Sequence, residues 1–305
     1  YQEAYLKAHY PVEFMSALLS NEIGNTDKLP VFIEECREMG IDVLRPDVNA
    51  SGVRFRPEEG AVRFGLAAVK NVGTAAVETL VAEREAHGPY TGLIDCCSRT
   101  DPRVVNKKSL ESLVRCGAFD GRGDMERARL FFGVEFAMAR AQTERRDRES
   151  GQGSLFDALE ESPVLEGDAS LPASESWSES DMLAAEKELL GFYISGHPLK
   201  EFEWLLDTFA LADPGALQET AGGEETRVGG LVHRYQPRFT KRDQQRMASF
   251  VLEGLGGAVE VVVFPKVFEE YGVRLGEDAP VIVCGRTACE DTVRLIASEI
   301  YPLAE

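Results

Sequence analysis

Apolar residues recur at helical spacing through the first part of the chain, and the period changes twice before its end. Val12, Met15, Leu18 and Leu19 follow Pro11, which stands where a helix can start. Val31 to Met39 predicts a second helix, stopped by Gly40. Residues 1 to 9, ahead of both, already read as helix. After Pro46 the period shortens to two: Val53 with Phe55 and Val62 with Phe64 flank Pro57 to Gly60 and predict a β-hairpin. Helical spacing returns from Leu66 to about Arg148, broken at Lys70 to Gly73, Gly88 to Pro89, Asp101 to Pro102 and Cys116 to Gly123, so four or five short helices are expected. A helix from Met182 to Leu190 and a turn from Gly191 to Leu199 come next. The remainder reads as strands: Val228 to Val232, Ala248 to Leu252, Val259 to Phe264, Val281 to Cys284 and Val293 to Ile296, with a short helix near Val267 to Tyr271. The class expected is α+β and multidomain, a small helical domain followed by a five-stranded Greek-key barrel.

A chain of 305 residues exceeds what one core usually holds, about 250 to 300 residues, so two or three compact units are expected. The segments read as 1–60, 61–148, 149–180, 181–226 and 227–305. Residues 149 to 180 are rich in Ser, Glu, Gly, Pro and Asp, the composition of a solvated linker. Charge sharpens that division. The net charge of -19 is spread as -5 over residues 1 to 60, +2 over 61 to 150, -14 over 151 to 230 and -2 over 231 to 305. Nucleic-acid binding by the flanking segments therefore stays open despite the acidic average. The six cysteines (Cys36, Cys96, Cys97, Cys116, Cys284, Cys289) form no CxxC pair and have no histidine at zinc-ligand spacing, which points to reduced structural thiols. No signal peptide and no apolar run near the ~18 residues of a membrane span are visible, so a soluble, cytoplasmic protein without a membrane partner is expected. The opening segment reads as mid-helix and suggests a piece of a longer polypeptide.

Three stretches carry candidate chemistry. In Leu66-x-x-Val69-Lys70-Asn71-Val72-Gly73-Thr74-x-Ala76-Val77 a tight turn would present successive backbone N–H groups and a helix N-terminus to a DNA phosphate, as in a helix-hairpin-helix motif. Asn71 is among the few residue types that tolerate positive φ. An ordinary turn in a small helical bundle is the alternative. A second helical unit, Arg103 to Arg115, carries Asn106, Lys107 and Lys108, and it reads equally as the mate of a tandem pair or as a solvated helix. In the expected barrel, of the kind called the OB-fold, Tyr235, Arg238, Phe239, Lys241, Arg242 and Arg246 interleave aromatic and cationic groups where the first two strands meet. Such barrels stack bases on aromatics while cations track the backbone, and an exposed hairpin tip is the alternative.

Between the helices and the barrel, Gln152, Ser154, Leu155 and Phe156 set two large apolar side chains in the most acidic part of the chain, the mark of a peptide that docks in another protein's pocket. Other sites fail on inspection. Ser195-Gly196-His197-Pro198 has neither an orienting group nor an oxyanion hole. Gly254 to Gly257 lacks the Lys-Ser/Thr of a phosphate loop. His9, His87 and His233 are isolated, and no carboxylate pair marks a phosphoryl-transfer site.

Taken together, Tyr5-Leu6-Lys7-Ala8-His9-Tyr10-Pro11-x-Glu13-Phe14, Pro46-Asp47-Val48-Asn49, Phe64-Gly65-Leu66, Gly117-Ala118-Phe119-Asp120, Gln152-x-x-Leu155-Phe156 and Glu186-Lys187-Glu188-x-Leu190-Gly191-Phe192-Tyr193-x-Ser195-Gly196-His197-Pro198-Leu199 resemble the C-terminal part of the bacterial polymerase III alpha-subunit family. The resemblance runs from Tyr1 to about Leu303. It implies that 1–60 is the end of a fingers region, 61–148 a tandem helix-hairpin-helix domain holding duplex primer-template, and 227–305 an OB domain near single-stranded template. It implies that Gln152, Ser154, Leu155 and Phe156 bind the sliding clamp (beta subunit). Asn71 stands where the family favours glycine, Asp243 stands in the basic barrel loop, and Glu253 to Gly257 lacks the usual acidic turn. The family's palm, with its Mg2+-binding aspartates, and its far C-terminal domain are expected to lie outside this chain, as are contacts to other replicase subunits. The segment is then a non-catalytic DNA-positioning and clamp-tethering region of a DNA-directed DNA polymerase, with no cofactor of its own. A stand-alone nucleic-acid-binding protein is the alternative.

Overall fold

The computed structural model describes residues 2–25, 28–121, 126–150, 167–210, 212–219, 222–240, 243–272, 275–289 and 292–303. The chain forms two compact units, 1–196 and 197–305. The expected 181–226 connector is shared between them.

In the first unit α1 (Gln2–His9) buries no residue, whereas α2 (Pro11–Asn21) starts at its proline and buries Met15, Ser16 and Leu19. The next helix, α3 (Leu29–Glu38), buries Leu29, Ile33 and Cys36 at the expected spacing of four and three. It ends before Gly40, whose φ of +71° suits a residue without a Cβ. Strands β1 (Val43–Leu44), β2 (Arg56–Glu58) and β3 (Ala61–Arg63) then make a small sheet in the order β1-β3-β2. The hairpin is shorter than the pattern implies. Only Arg56 to Glu58 pairs with Ala61 to Arg63, through a turn with positive φ at both Glu59 and Gly60. Val53 leaves the ladder because its carbonyl accepts the Ala67 N–H at 3.1 Å, while Phe55 packs edge-on to Phe64 at 4.7 Å between centroids.

Helices α4 (Thr74–His87), α5 (Leu93–Arg99), α6 (Lys107–Arg115) and α7 (Arg127–Ser150) follow. One differs from expectation, since α7 runs unbroken for 24 residues instead of forming short pieces. No proline interrupts it, and Val134, Ala137 and Ala141 hold one face to the core at spacings of three and four. Beyond the undescribed stretch 151–166, which contains the candidate docking residues, residues 167–171 pack where composition reads as linker, and Leu171 is buried. Helix α8 (Glu179–Leu190) begins with a capping box between Ser178 and Asp181 and ends at left-handed Gly191. A single apolar core joins Met15 through Phe192.

The second unit opens with α9 (Glu203–Phe209) and continues into β4 (Glu225–Phe239), β5 (Arg246–Glu253), β6 (Ala258–Val263), α10 (Pro265–Tyr271), β7 (Pro280–Cys289) and β8 (Val293–Pro302). The strands close in the order β4-β5-β6-β8-β7, with β6 and β8 parallel and β4 sealing the ring against β7, the topology of an OB barrel. Burial alternates along β6, which sends Val259, Val261 and Val263 inward beside Phe250, Val283 and Leu295. Each such side chain contributes roughly 1.5–3 kcal/mol of apolar burial. Closure leaves no room for a side chain at Gly230, where a Cβ would lie 2.7 Å from the Glu253 carbonyl oxygen.

Candidate nucleic-acid interface

The first hairpin turn runs from a three-residue 3-10 turn, Leu66–Ala68, to α4. Val69 and Val72 are buried and root it in the core. Asn71 between them takes φ +67°, as its residue type permits. The inward polar groups are satisfied. The Lys70 N–H donates to the Leu189 carbonyl of α8 at 3.0 Å, the Ser109 hydroxyl of α6 donates to the Asn71 carbonyl at 3.3 Å, and Asn71 Nδ2 donates to Ser112 Oγ at 3.5 Å. The outward groups differ. Gly73 is the N-cap of α4 and brings no side-chain cap, so the N–H groups of Gly73, Thr74 and Ala75 find no acceptor among the described residues. Open space surrounds the position a Gly73 Cβ would take, and its φ of -74° does not require glycine. Three uncapped amides at the positive end of a 14-residue helix form an anion seat by elementary electrostatics.

Beside this turn begins α6, capped by Asn106 Oδ1 accepting the Ser109 N–H at 3.0 Å. Its first two residues part company. Lys107 is engaged by Glu135 at 3.0 Å, whose hydrogen bond and charge raise its pKa, and lies 3.8 Å from Glu111, whereas Lys108 is exposed and without an ion pair among the described residues. Lys70 is exposed as well, and Thr74 lies on the surface. The sequence candidates of the helical unit are thus brought together, except that Val72 offers only its backbone and Lys107 is already neutralised.

Sequence reasoning missed the buried ion pair that ties α7 to α8. Arg127, nearly buried, donates to Asp120 at 2.6 Å and to Glu186 Oε1 at 2.9 Å, while Glu186, fully buried, accepts the Ile194 and Ser195 N–H groups at 3.0 and 2.9 Å. Burial acts to lower the Arg127 pKa, and the bonds and charges of Asp120 and Glu186 outweigh it, leaving the pKa raised. The signal was present: Glu186 falls between Leu183 and Leu190 on the apolar face of α8, where an unpaired carboxylate could not stay.

In the barrel, Arg238 and Phe239 project from the end of β4, and Phe239 registers opposite Arg246 of β5; all three are exposed. Phe239 is 60% exposed, an uncommon position for a phenyl ring. Tyr235 does not join them, because it packs against the barrel core and burial raises its pKa. Lys241 and Arg242 lie outside the described residues. His233, isolated in sequence, is buried in space between Glu253 at 2.8 Å, Asp278 at 3.2 Å and Glu277 at 3.6 Å. Glu277 also accepts the Arg234 and Tyr235 N–H groups, at 2.9 and 3.0 Å, and so braces the β4 irregularity at left-handed Arg234. Gln152, Ser154, Leu155 and Phe156 also lie outside the described residues.

These units define a protein built from a helix-hairpin-helix module and an OB barrel. Residues 40–130 match a family described as "Helix-hairpin-helix motif". The DNA polymerase III subunit alpha of Thermus aquaticus is 39% identical over 308 residues, covering 100% of this chain and 24% of its own length. Those of Borreliella burgdorferi and Caulobacter vibrioides are each 38% identical, covering 94% and 99% of this chain and 25% and 26% of their own. The chain belongs to the DNA polymerase III alpha-subunit family, and it spans about a quarter of the length of the curated relatives it matches.

Proposed function

We propose that this chain is the DNA-positioning and sliding-clamp-tethering region of a cytoplasmic replicative DNA-directed DNA polymerase, and that it performs no chemistry itself. The observation that carries the reading is the row of uncapped amides at Gly73 to Ala75, set above a turn whose inward groups are all engaged. A backbone phosphate supplies the missing acceptor, and Lys70 and Lys108 add charge without reading bases. The second turn, before Lys107 and Lys108, takes the other strand of the duplex primer-template. In the barrel, Phe239 stacks a base of single-stranded template while Arg238 and Arg246, joined by Lys241 and Arg242, follow its backbone.

Gln152, Ser154, Leu155 and Phe156 fasten the whole to the clamp. Tethering to a ring already on DNA raises the local concentration of primer ends to about the mM range, so a weak peptide contact suffices for long residence. The surrounding negative charge is repelled by DNA and leaves the peptide to its protein partner. The Mg2+-dependent chemistry belongs, on this reading, to parts of the relatives beyond the quarter this chain covers, as do the contacts with other replicase subunits.

The decisive experiment replaces Leu155 and Phe156 with Ala and measures clamp binding and duplex binding side by side. Clamp binding is expected to disappear while the duplex dissociation constant stays unchanged. An unaltered clamp affinity rejects the assignment.

A further inference from the structure

Residues 167–171 sit on the helical unit as a bound peptide would. Asp168 lies 75 residues from Leu93, yet its Oδ2 accepts the Leu93 N–H at 2.8 Å and its Oδ1 accepts the Ile94 N–H at 2.9 Å. These are the first amides of α5, whose N-cap, Gly92, has no side chain to serve them. A methyl group at Gly92 would fall on the Asp168 carboxylate, although the extended backbone there suits any residue. Three residues on, Leu171 fills a notch in α7, where a Cβ at Gly133 would come within 2.9 Å of Leu171 Cδ2. Arg129 donates to the carbonyls of Ala169 at 2.9 Å and Leu171 at 2.7 Å, and Arg140 donates to Ser170 Oγ at 2.8 Å. At the other end of α5, Arg145 donates to the Cys97 carbonyl at 2.8 Å.

The helix is therefore pinned at its start by Asp168 and at its end by α7. It leads directly into residues 100–106 and α6, the second hairpin turn. We propose that Asp168 and Leu171 are positioning residues for duplex binding: they lock α5 to α7 and so fix the second turn, fastening the chain just after residues 151–166 to the helical unit. This role rests on the duplex-binding reading above.

The test uses the full chain with Asp168→Ala, Asp168→Asn and Gly133→Ala. It follows hydrogen exchange at the Leu93 and Ile94 amides together with the affinity for a primer-template duplex across salt. Gly133→Ala improves helix propensity while blocking the Leu171 notch, which separates loss of the seat from loss of the fold. Asp168→Ala and Gly133→Ala are expected to speed exchange at both amides and to weaken duplex binding about three- to tenfold, the loss of roughly one hydrogen bond's net contribution. The double variant should bind no worse than the weaker single one. Asn, which keeps one acceptor oxygen, should restore part of the loss, and single-strand affinity should not move. Unaltered exchange in Asp168→Ala overturns the seat. Faster exchange with unchanged duplex affinity and salt slope reduces the seat to scaffolding and overturns the positioning role. Absence of salt-dependent duplex binding by the unmodified chain is a third, distinguishable result that overturns the duplex reading and this role with it.

Discussion

Gly73 illustrates how one residue's lack of a side chain can be functional without any backbone strain. At a helix N-cap, Ser, Thr, Asp or Asn would satisfy the free amides from within and gain a few tenths of a kcal/mol over glycine. Gly73→Asp, which the open surroundings accept, should therefore leave the thermal midpoint unchanged or slightly raised. It should weaken duplex binding at least tenfold, because a carboxylate then occupies the phosphate's seat and charge-assisted bonds of about 1.5–3 kcal/mol are lost. Denaturation and duplex titration of the same preparation check both halves. The Arg127, Asp120 and Glu186 group behaves oppositely, being internal and structural. Glu186→Ala strips a buried cation of one partner and two backbone amides of their acceptor, and should cost about 3–5 kcal/mol of stability in chemical denaturation. A Glu186→Leu, Arg127→Met double change should recover much of that, since it removes the buried charge along with its partner.

Among the elements, the β4–β5 hairpin makes the plainest functional claim, an exposed phenyl ring registered opposite an arginine. Phe239→Ala should cost about 1–3 kcal/mol of single-strand binding, as removal of a stacked base's platform does, and should leave duplex binding intact. Fluorescence titration with a short oligonucleotide reads it. The strand pattern was legible at this scale because alternating burial in β6 leaves a period-two trace and the buried run of β4 a short continuous apolar one. The turn at Asn71 was legible because residue type forecasts its positive φ. By contrast, the seat of residues 167–171 left no local trace. Asp168 and Leu171 are ordinary in an acidic, serine-rich stretch, and the glycines that receive them, Gly92 and Gly133, are distant in sequence. Composition reports average solvation and cannot report a partner found 75 residues away. The parallel strand β1 was hidden for a similar reason, since two residues carry no period. The packing of Tyr235 was not legible, because an aromatic next to arginines looks the same in sequence whether its ring faces bases or a core.

For the whole molecule, the division of charge matters more than its sum. A chain of net -19 can hold DNA only where its negative charge is locally thin, and residues 61 to 150, which carry both hairpin turns, have a net charge of +2. On the reading proposed above, the helical unit and the barrel grip nucleic acid through amides and a few exposed cations, and the candidate clamp peptide lies in the acidic stretch after residue 150. That account is tested most directly by the affinity for a primer-template duplex measured as salt is raised. Phosphate contacts at both hairpin turns predict that the logarithm of the association constant falls linearly with the logarithm of salt concentration, losing about 0.9 per phosphate engaged, and that Gly73→Asp flattens the slope by about one contact. An affinity indifferent to salt, or a slope that Gly73→Asp leaves untouched, would contradict it.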